Sequence, residues 1–123
     1  MARFIYLNVS PQGEHKNDCV TRAITLASGL PYSTVRKKLF HTSRLLGCMK
    51  LCWSCYSFLL TNVLGYRQVN CDDMSVEEFA NTHQNGTYLI RIQGHLTCVK
   101  EPSTVWDIWD CRDKMCDLAW EIR

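Results

Sequence analysis

The sequence predicts an α+β fold, with N-terminal helices packed on a C-terminal antiparallel sheet. Three observations carry this. Apolar residues recur at helical spacing through the first two-thirds of the chain, as at Val20, Ala23, Ile24 and Ala27. The last third is instead rich in β-branched and aromatic residues, as in Thr87-Tyr88-Leu89-Ile90-Arg91-Ile92. The chain has 123 residues, of which 46% are hydrophobic and 21% charged, so a packed core is expected. The length excludes a TIM barrel, which needs about 250 residues. The whole chain, 1–123, reads as a single domain.

Residues 1–16 read as an extended arm with a turn near Pro11-Gln12-Gly13. The first helix starts at Asn17, a good N-cap, with Asp18 at the positive end of the dipole. Gly29 and Pro31 end it. Ser33 caps a second helix over 34–44, with Val35 and Leu39 inward. A third helix is expected from Met49 to Leu64, ending at Gly65, with Met49, Trp53, Tyr56, Leu60 and Val63 in step. Tyr66–Asn70 fits a short strand. Ser75-Val76-Glu77-Glu78 has the capping-box form, with Met74 and Phe79 placed as a hydrophobic staple. That helix ends before Asn85-Gly86. Thr87–Ile92, His95–Lys100, Thr104–Trp109 and Leu118–Ile122 then form a meander.

The net charge is +2 and the pI about 8.1. That is too mild for a nucleic-acid footprint, and the basic run Arg36-Lys37-Lys38 reads as a solvated helix face. No stretch approaches the roughly 20 apolar residues of a membrane span. Met1–Leu7 lacks the apolar run of a signal peptide, because Asn8 and Ser10 interrupt it. A cytoplasmic, reducing location is the expectation, and structural disulfides are rare there.

Eight cysteines therefore ask for another reading. Cys48, Cys52 and Cys55 share the C-x3-C-x2-C spacing with which radical-SAM enzymes hold an iron–sulfur cluster. The chain is too short for the barrel of those enzymes. On the expected third helix, Cys48 and Cys55 would also stand about 10 Å apart along the axis, too far for one metal. They read as small core residues beside Leu59. Cys111 and Cys116 form a C-x4-C loop pair that could join or bind zinc, but the doubled C-x2-C of a strong zinc signal is missing. Cys71 and Cys98 read as packing residues. No cofactor or metal is expected, and a zinc-stabilised cysteine-rich domain is the weakest of the readings.

Cys19 differs by position. It lies in the first turn of the first helix, where unpaired N–H groups and the dipole favour a thiolate. A thiolate nucleophile needs an imidazole, and the imidazole needs an orienting group. Of the four histidines, His15 is too near Cys19 in sequence, His41 ends a basic helix and His83 sits at a helix C-terminus. His95 starts a strand after Gly94, whose missing side chain would allow a close approach. If Glu101-Pro102-Ser103 is a three-residue loop, Lys100 faces Thr104 and His95 faces Trp109. His95 and Asp107 then share a face, and Asp110 points to the other. A loop of different length would reverse that parity and make Asp110 the orienter.

These residues resemble those of small papain-like cysteine peptidases. The nearer resemblance is to short phage- and prophage-type proteins with an N-D-C-x-x-R-A helix start and a late G-H strand followed by an aspartate strand. The matching residues are Asn17-Asp18-Cys19-Val20-Thr21-Arg22-Ala23, Asn85-Gly86-Thr87-Tyr88-Leu89, Gly94-His95 and Val105-Trp106-Asp107. The resemblance implies a papain-like fold, with Cys19 as nucleophile, His95 as general base and acid, and Asp107 as orienter. It implies hydrolysis of a peptide or isopeptide bond through a thioester, with a protein or peptide substrate such as a host protein. The oxyanion donor expected from a glutamine shortly before the cysteine falls to Gln12 or Asn17, or to the backbone N–H of Cys19. A catalytically silent module of the same fold that binds and blocks a host protein is the rival reading. Nucleic-acid and membrane partners are not expected.

Overall fold

The computed structural model describes residues 2–11, 18–49 and 52–122. In chain order the elements are β1 (Arg3–Tyr6), α1 (Cys19–Ser28), α2 (Tyr32–Leu46), α3 (Trp53–Phe58), β2 (Arg67–Val69), α4 (Val76–Thr82), β3 (Thr87–Ile92), β4 (His95–Lys100), β5 (Thr104–Asp107) and β6 (Leu118–Ile122). A π-helical turn, Leu59–Val63, continues α3.

The fold mixes helices with one six-stranded sheet in the order β1-β5-β4-β3-β6-β2. Helices cover both faces. Leu89, Leu96, Cys98 and Trp120 pack with Val20, Ile24, Leu39 and Leu60 of the first three helices and the π turn. The neighbouring residues Tyr88, Ile90, Val99 and Ala119 pack with Val76, Phe79 and Ala80 of α4. The alternation follows from the period of two in a strand.

Two parts of the expected topology are corrected. The sheet is not purely antiparallel, because β1 pairs parallel with β5, Arg3 opposite Thr104 and Tyr6 opposite Asp107. Four residues of the arm are therefore an edge strand, a pairing that local pattern does not encode. The strand β1 also precedes every helix, whereas β2 stands before α4 within the expected strand Tyr66–Asn70.

Helix boundaries shift for local reasons. The start of α1 is Cys19 itself, with Asp18 at the cap position, and Asn17 lies outside the described residues. The carboxylate of Asp18 makes no cap bond, because it is engaged by Arg22 and Tyr32. Helix α2 begins two residues before Ser33's expected first turn, after Pro31, whose fixed φ suits a helix start. The expected helix over Met49–Leu64 is shorter. Cys48 and Met49 lie beyond the Gly47 cap of α2, Cys52 caps α3, and only Cys55 of the three cysteines is helical. Met49 is 80% exposed, and Trp53 and Val63 are half-exposed, so they are not core. Tyr56, Leu59 and Leu60 are buried as their spacing requires.

Other elements match their signals. Ser75 Oγ accepts from the Glu78 N–H at 3.1 Å while Glu78 Oε1 accepts from the Ser75 N–H at 2.9 Å, a complete capping box. Met74 packs in the cluster that contains Phe79, as a staple would. Lys100 lies opposite Thr104 across a three-residue loop, so the hairpin parity is the one that places His95 and Asp107 on one face.

Candidate active site

The β3–β4 hairpin closes with Ile92 opposite His95, across a Gln93-Gly94 turn. Gly94 has φ +71°, a left-handed conformation that suits glycine. A Cβ there would meet nothing within 4 Å, so turn geometry rather than close approach explains the glycine. The turn sets His95 at the first position of β4. Strand β5 ends at Asp107 beside it, and α1 packs across β4 so that its first residue, Cys19, meets the start of that strand.

The three side chains form a chain of contacts. His95 Nε2 lies 2.6 Å from Asp107 Oδ2. The Cys19 thiol lies beside the His95 ring and the Leu96 backbone, close enough for both to stabilise its thiolate. With Nε2 on Asp107, Nδ1 is the ring nitrogen left for the thiol. Asp107 is buried and well supported. Thr97 Oγ1 donates to Oδ2 at 2.6 Å, and the Ile108 N–H donates to Oδ1 at 2.7 Å. Arg22 approaches Oδ1 at 3.6 Å. Trp109 leans over His95 with ring centroids 5.0 Å apart, shielding the pair from one side.

The electrostatics favour charge separation. Burial pushes the Cys19 thiol up, but His95, the Leu96 backbone and the Arg22 charge together bring it below the ordinary 9.0. Burial pulls His95 down, but its bonds to Asp107 and Cys19 and their charges raise it to about 9. A lowered thiol beside a raised imidazole is the signature of a thiolate–imidazolium pair. Cys19 is also the first residue of α1, where N–H groups have no intrahelical partner.

A groove of about 280 Å³ opens at the thiol, walled by Cys19, His95, Cys52, Trp53, Tyr56 and Arg91. Arg91 pairs with Asp117 and lies over the Trp53 ring, 5.6 Å from its centroid. The wall residues of α3 were expected in the core; the break before α3 turns Cys52 and Trp53 outward instead.

The remaining candidates separate cleanly. Asp110 is held by Arg112 at 2.7 Å and makes no bond to His95, so it is not the orienter. Gln12, Asn17 and His15 lie outside the described residues. His83 stacks on Phe79 at 3.9 Å, and His41 lines a different groove beside α2. Arg22, Thr97 and Asp18 were not singled out as site residues. Arg22 and Asp18 carried a signal, the i,i+4 spacing of opposite charges on the cysteine helix, and Thr97 stands two residues from His95 on the same strand face.

All eight cysteines are free thiols. Cys48 lies close enough to Cys55 to act on its charge, so the axial separation expected of a continuous helix does not apply. Cys55 is fully buried and donates to the Leu39 carbonyl at 3.7 Å. Burial pushes it up to about 12, which keeps it a neutral thiol. Cys111 and Cys116 take separate partners: Cys111 points at Asp107 Oδ2, 3.9 Å away, and Cys116 contacts Cys71. His95, Asp107 and Cys111 offer ligand atoms within 4.8 Å of one another, the set among the described residues that could hold a metal ion. In this set Nε2 already faces Asp107 Oδ2 at 2.6 Å.

No known family, curated protein or solved structure matches the chain. Among the described residues no helix is long and apolar enough to cross a membrane. The chemistry of the site therefore rests on its own residues.

Proposed function

We propose that the protein is a papain-like cysteine peptidase or related thiol hydrolase acting on a peptide or isopeptide bond. The observation that supports this is the unbroken Cys19–His95–Asp107 contact chain at the mouth of a groove. Cys19 thiolate attacks the substrate carbonyl carbon, and the His95 imidazolium gives its proton to the departing amine. A thioester on Cys19 remains. His95, now neutral, takes a proton from water, the hydroxide displaces the thiol, and the acid leaves. Asp107 holds the ring orientation throughout and stabilises the imidazolium. The Cys19 N–H at the start of α1 is the oxyanion donor nearest the nucleophile.

A p-nitrophenyl ester tests this with intact-mass detection of the acylated protein. Acylation should map to Cys19 and drop at least about a hundredfold in His95→Ala, the usual scale of general acid–base assistance. Labelling that ignores His95, or that falls on another cysteine, defeats the reading.

A second reading keeps the fold and removes the turnover. Trp53 and Trp109 flank the site partly exposed, as anchors of a binding module would be. On that reading the protein binds and blocks a partner such as a host protein, and Cys19→Ala keeps the full biological effect.

A further inference from the structure

Helix α2 turns Val35, Leu39 and Thr42 inward. Its remaining surface is unusual in two ways. It carries Arg36, Lys37, Lys38 and Arg44 without a single Asp or Glu. It also exposes large apolar side chains: Leu45 is 74% exposed, and Phe40 and Leu46 are exposed as well. Between α2 and the π-helical turn runs a groove of about 640 Å³. Leu45, Leu59 and Val63 supply its apolar lining, and Lys37, Lys38 and Arg44 supply its cationic rim. Among the described residues no salt bridge reaches those three cations. Arg44 instead lies over the Phe40 ring, 5.8 Å from its centroid.

A contiguous exposed apolar patch rimmed by charge of one sign is a place where another molecule sits. We propose that this groove docks an acidic amphipathic helix of a partner protein. An apolar helix face, anchored at i, i+3, i+4 and i+7, fills a groove between two helical walls. Glu and Asp flanking that face meet Lys37, Lys38 and Arg44, which steers encounter and rejects basic helices. The groove's concave form and aliphatic lining favour this occupant over the two other anionic ones. A lipid surface has no ridge to enter a concavity. A nucleic acid seeks a row of stacking rings, and the groove lining offers one, the imidazole of His41. The groove shares no residue with the Cys19 site, so the proposal stands whether or not that site turns over substrate.

The test is fluorescence anisotropy with a labelled synthetic helix bearing Leu at i, i+3, i+4 and i+7 and Glu elsewhere. The same peptide with Lys for Glu, phosphatidylcholine–phosphatidylserine vesicles and an oligouridylate complete the panel. Leu45→Glu changes an exposed position and the double variant Lys37→Glu/Lys38→Glu an exposed and a half-buried one, and circular dichroism checks their fold. The acidic peptide should bind the wild type and bind each variant at least about tenfold more weakly, a loss of about 1.4 kcal/mol. The basic peptide should bind at least about tenfold more weakly than the acidic one. Equal binding of both peptides, indifference to both variants, or no binding of the acidic peptide overturns the proposal. So does a preference for vesicles or oligouridylate. Leu45-dependent self-association in sedimentation velocity would assign the groove to a second copy and overturn it equally.

Discussion

Thr97 and His95 meet at one oxygen: the Thr97 hydroxyl and His95 Nε2 each lie 2.6 Å from Asp107 Oδ2. Both residues stand on β4, two apart, so the pleat aims them at the same neighbour. The other carboxylate oxygen takes the Ile108 N–H. Asp107 is thereby fixed, and His95 is fixed through it. Asp107→Asn keeps the shape and removes the charge that raises His95. The His95 midpoint, followed by NMR, should fall from about 9. Cys19 alkylation at neutral pH should slow as the thiol rises in response. An unchanged His95 midpoint would show that Asp107 does not govern the imidazole.

The pH dependence has a sign for each partner. Cys19 is depressed below 9.0, so its contribution to stability is present at high pH and lost as pH falls through its folded value. His95 is raised from 6.5 to about 9, so its contribution is complete below 6.5 and lost as pH climbs toward 9. The ion pair exists between the two folded values. On the proposed hydrolase reading, activity should rise on the acid side with the thiolate and fall again near pH 9 as His95 loses its proton. In Cys19→Ala only the imidazole limb remains. Denaturant unfolding of that variant should show stability declining as pH rises above 6.5. A flat profile there would show that Asp107 without Cys19 does not raise the imidazole.

Two thiols compete for electrophiles. Cys52 is also lowered below 9.0, chiefly by the Ser54 hydroxyl 3.2 Å away, and it lines the same groove as Cys19. Cys55, Cys98, Cys111 and Cys116 are pushed up to about 12 by burial. Iodoacetamide with peptide mapping should label Cys19 and Cys52 well ahead of those four. His95→Ala should slow Cys19 and leave Cys52 unchanged, because the ring lowers the Cys19 thiol and not that of Cys52. Equal slowing of both would assign the effect to the groove as a whole.

The site was more legible than the fold around it. Cys19 stood out because a helix start is written locally, in Asn17-Asp18-Cys19. The His95–Asp107 pairing followed from loop length and strand parity alone, both of them short-range rules. Arm residues Arg3–Tyr6 gave no such hint, since a parallel edge partner 100 residues away leaves no mark on four residues. The third helix failed for a related reason. Met49, Trp53 and Val63 keep helical spacing, but Gly47 stops α2 in the left-handed conformation and the chain must turn before α3 can start. Periodicity reports what a helix would bury and not whether the chain has room to begin one. Arg22 was read as part of a motif, when its length is what matters: it spans from Asp18 to Asp107.

That span makes Arg22 the most consequential buried charge. Its Nε lies 2.6 Å from Asp18 Oδ1, and its Nη1 lies 3.6 Å from Asp107 Oδ1. Tyr32 donates to the other oxygen of Asp18 at 2.7 Å, tying α2 to the same cluster. Arg22 is 5% exposed, and both carboxylates are buried with it. Removing one partner of a buried ionic group leaves the others uncompensated, at a cost of about 3–5 kcal/mol. Arg22→Ala should lose stability on that scale in urea unfolding. Arg22→Lys should recover part of it, since an ammonium keeps the charge but cannot reach both carboxylates as a planar fork does. The guanidinium also helps hold Cys19 down. The alkylation midpoint of Cys19 should therefore rise in Arg22→Ala and return partway in Arg22→Lys. A large stability loss with no movement of that midpoint would make Arg22 a structural residue alone.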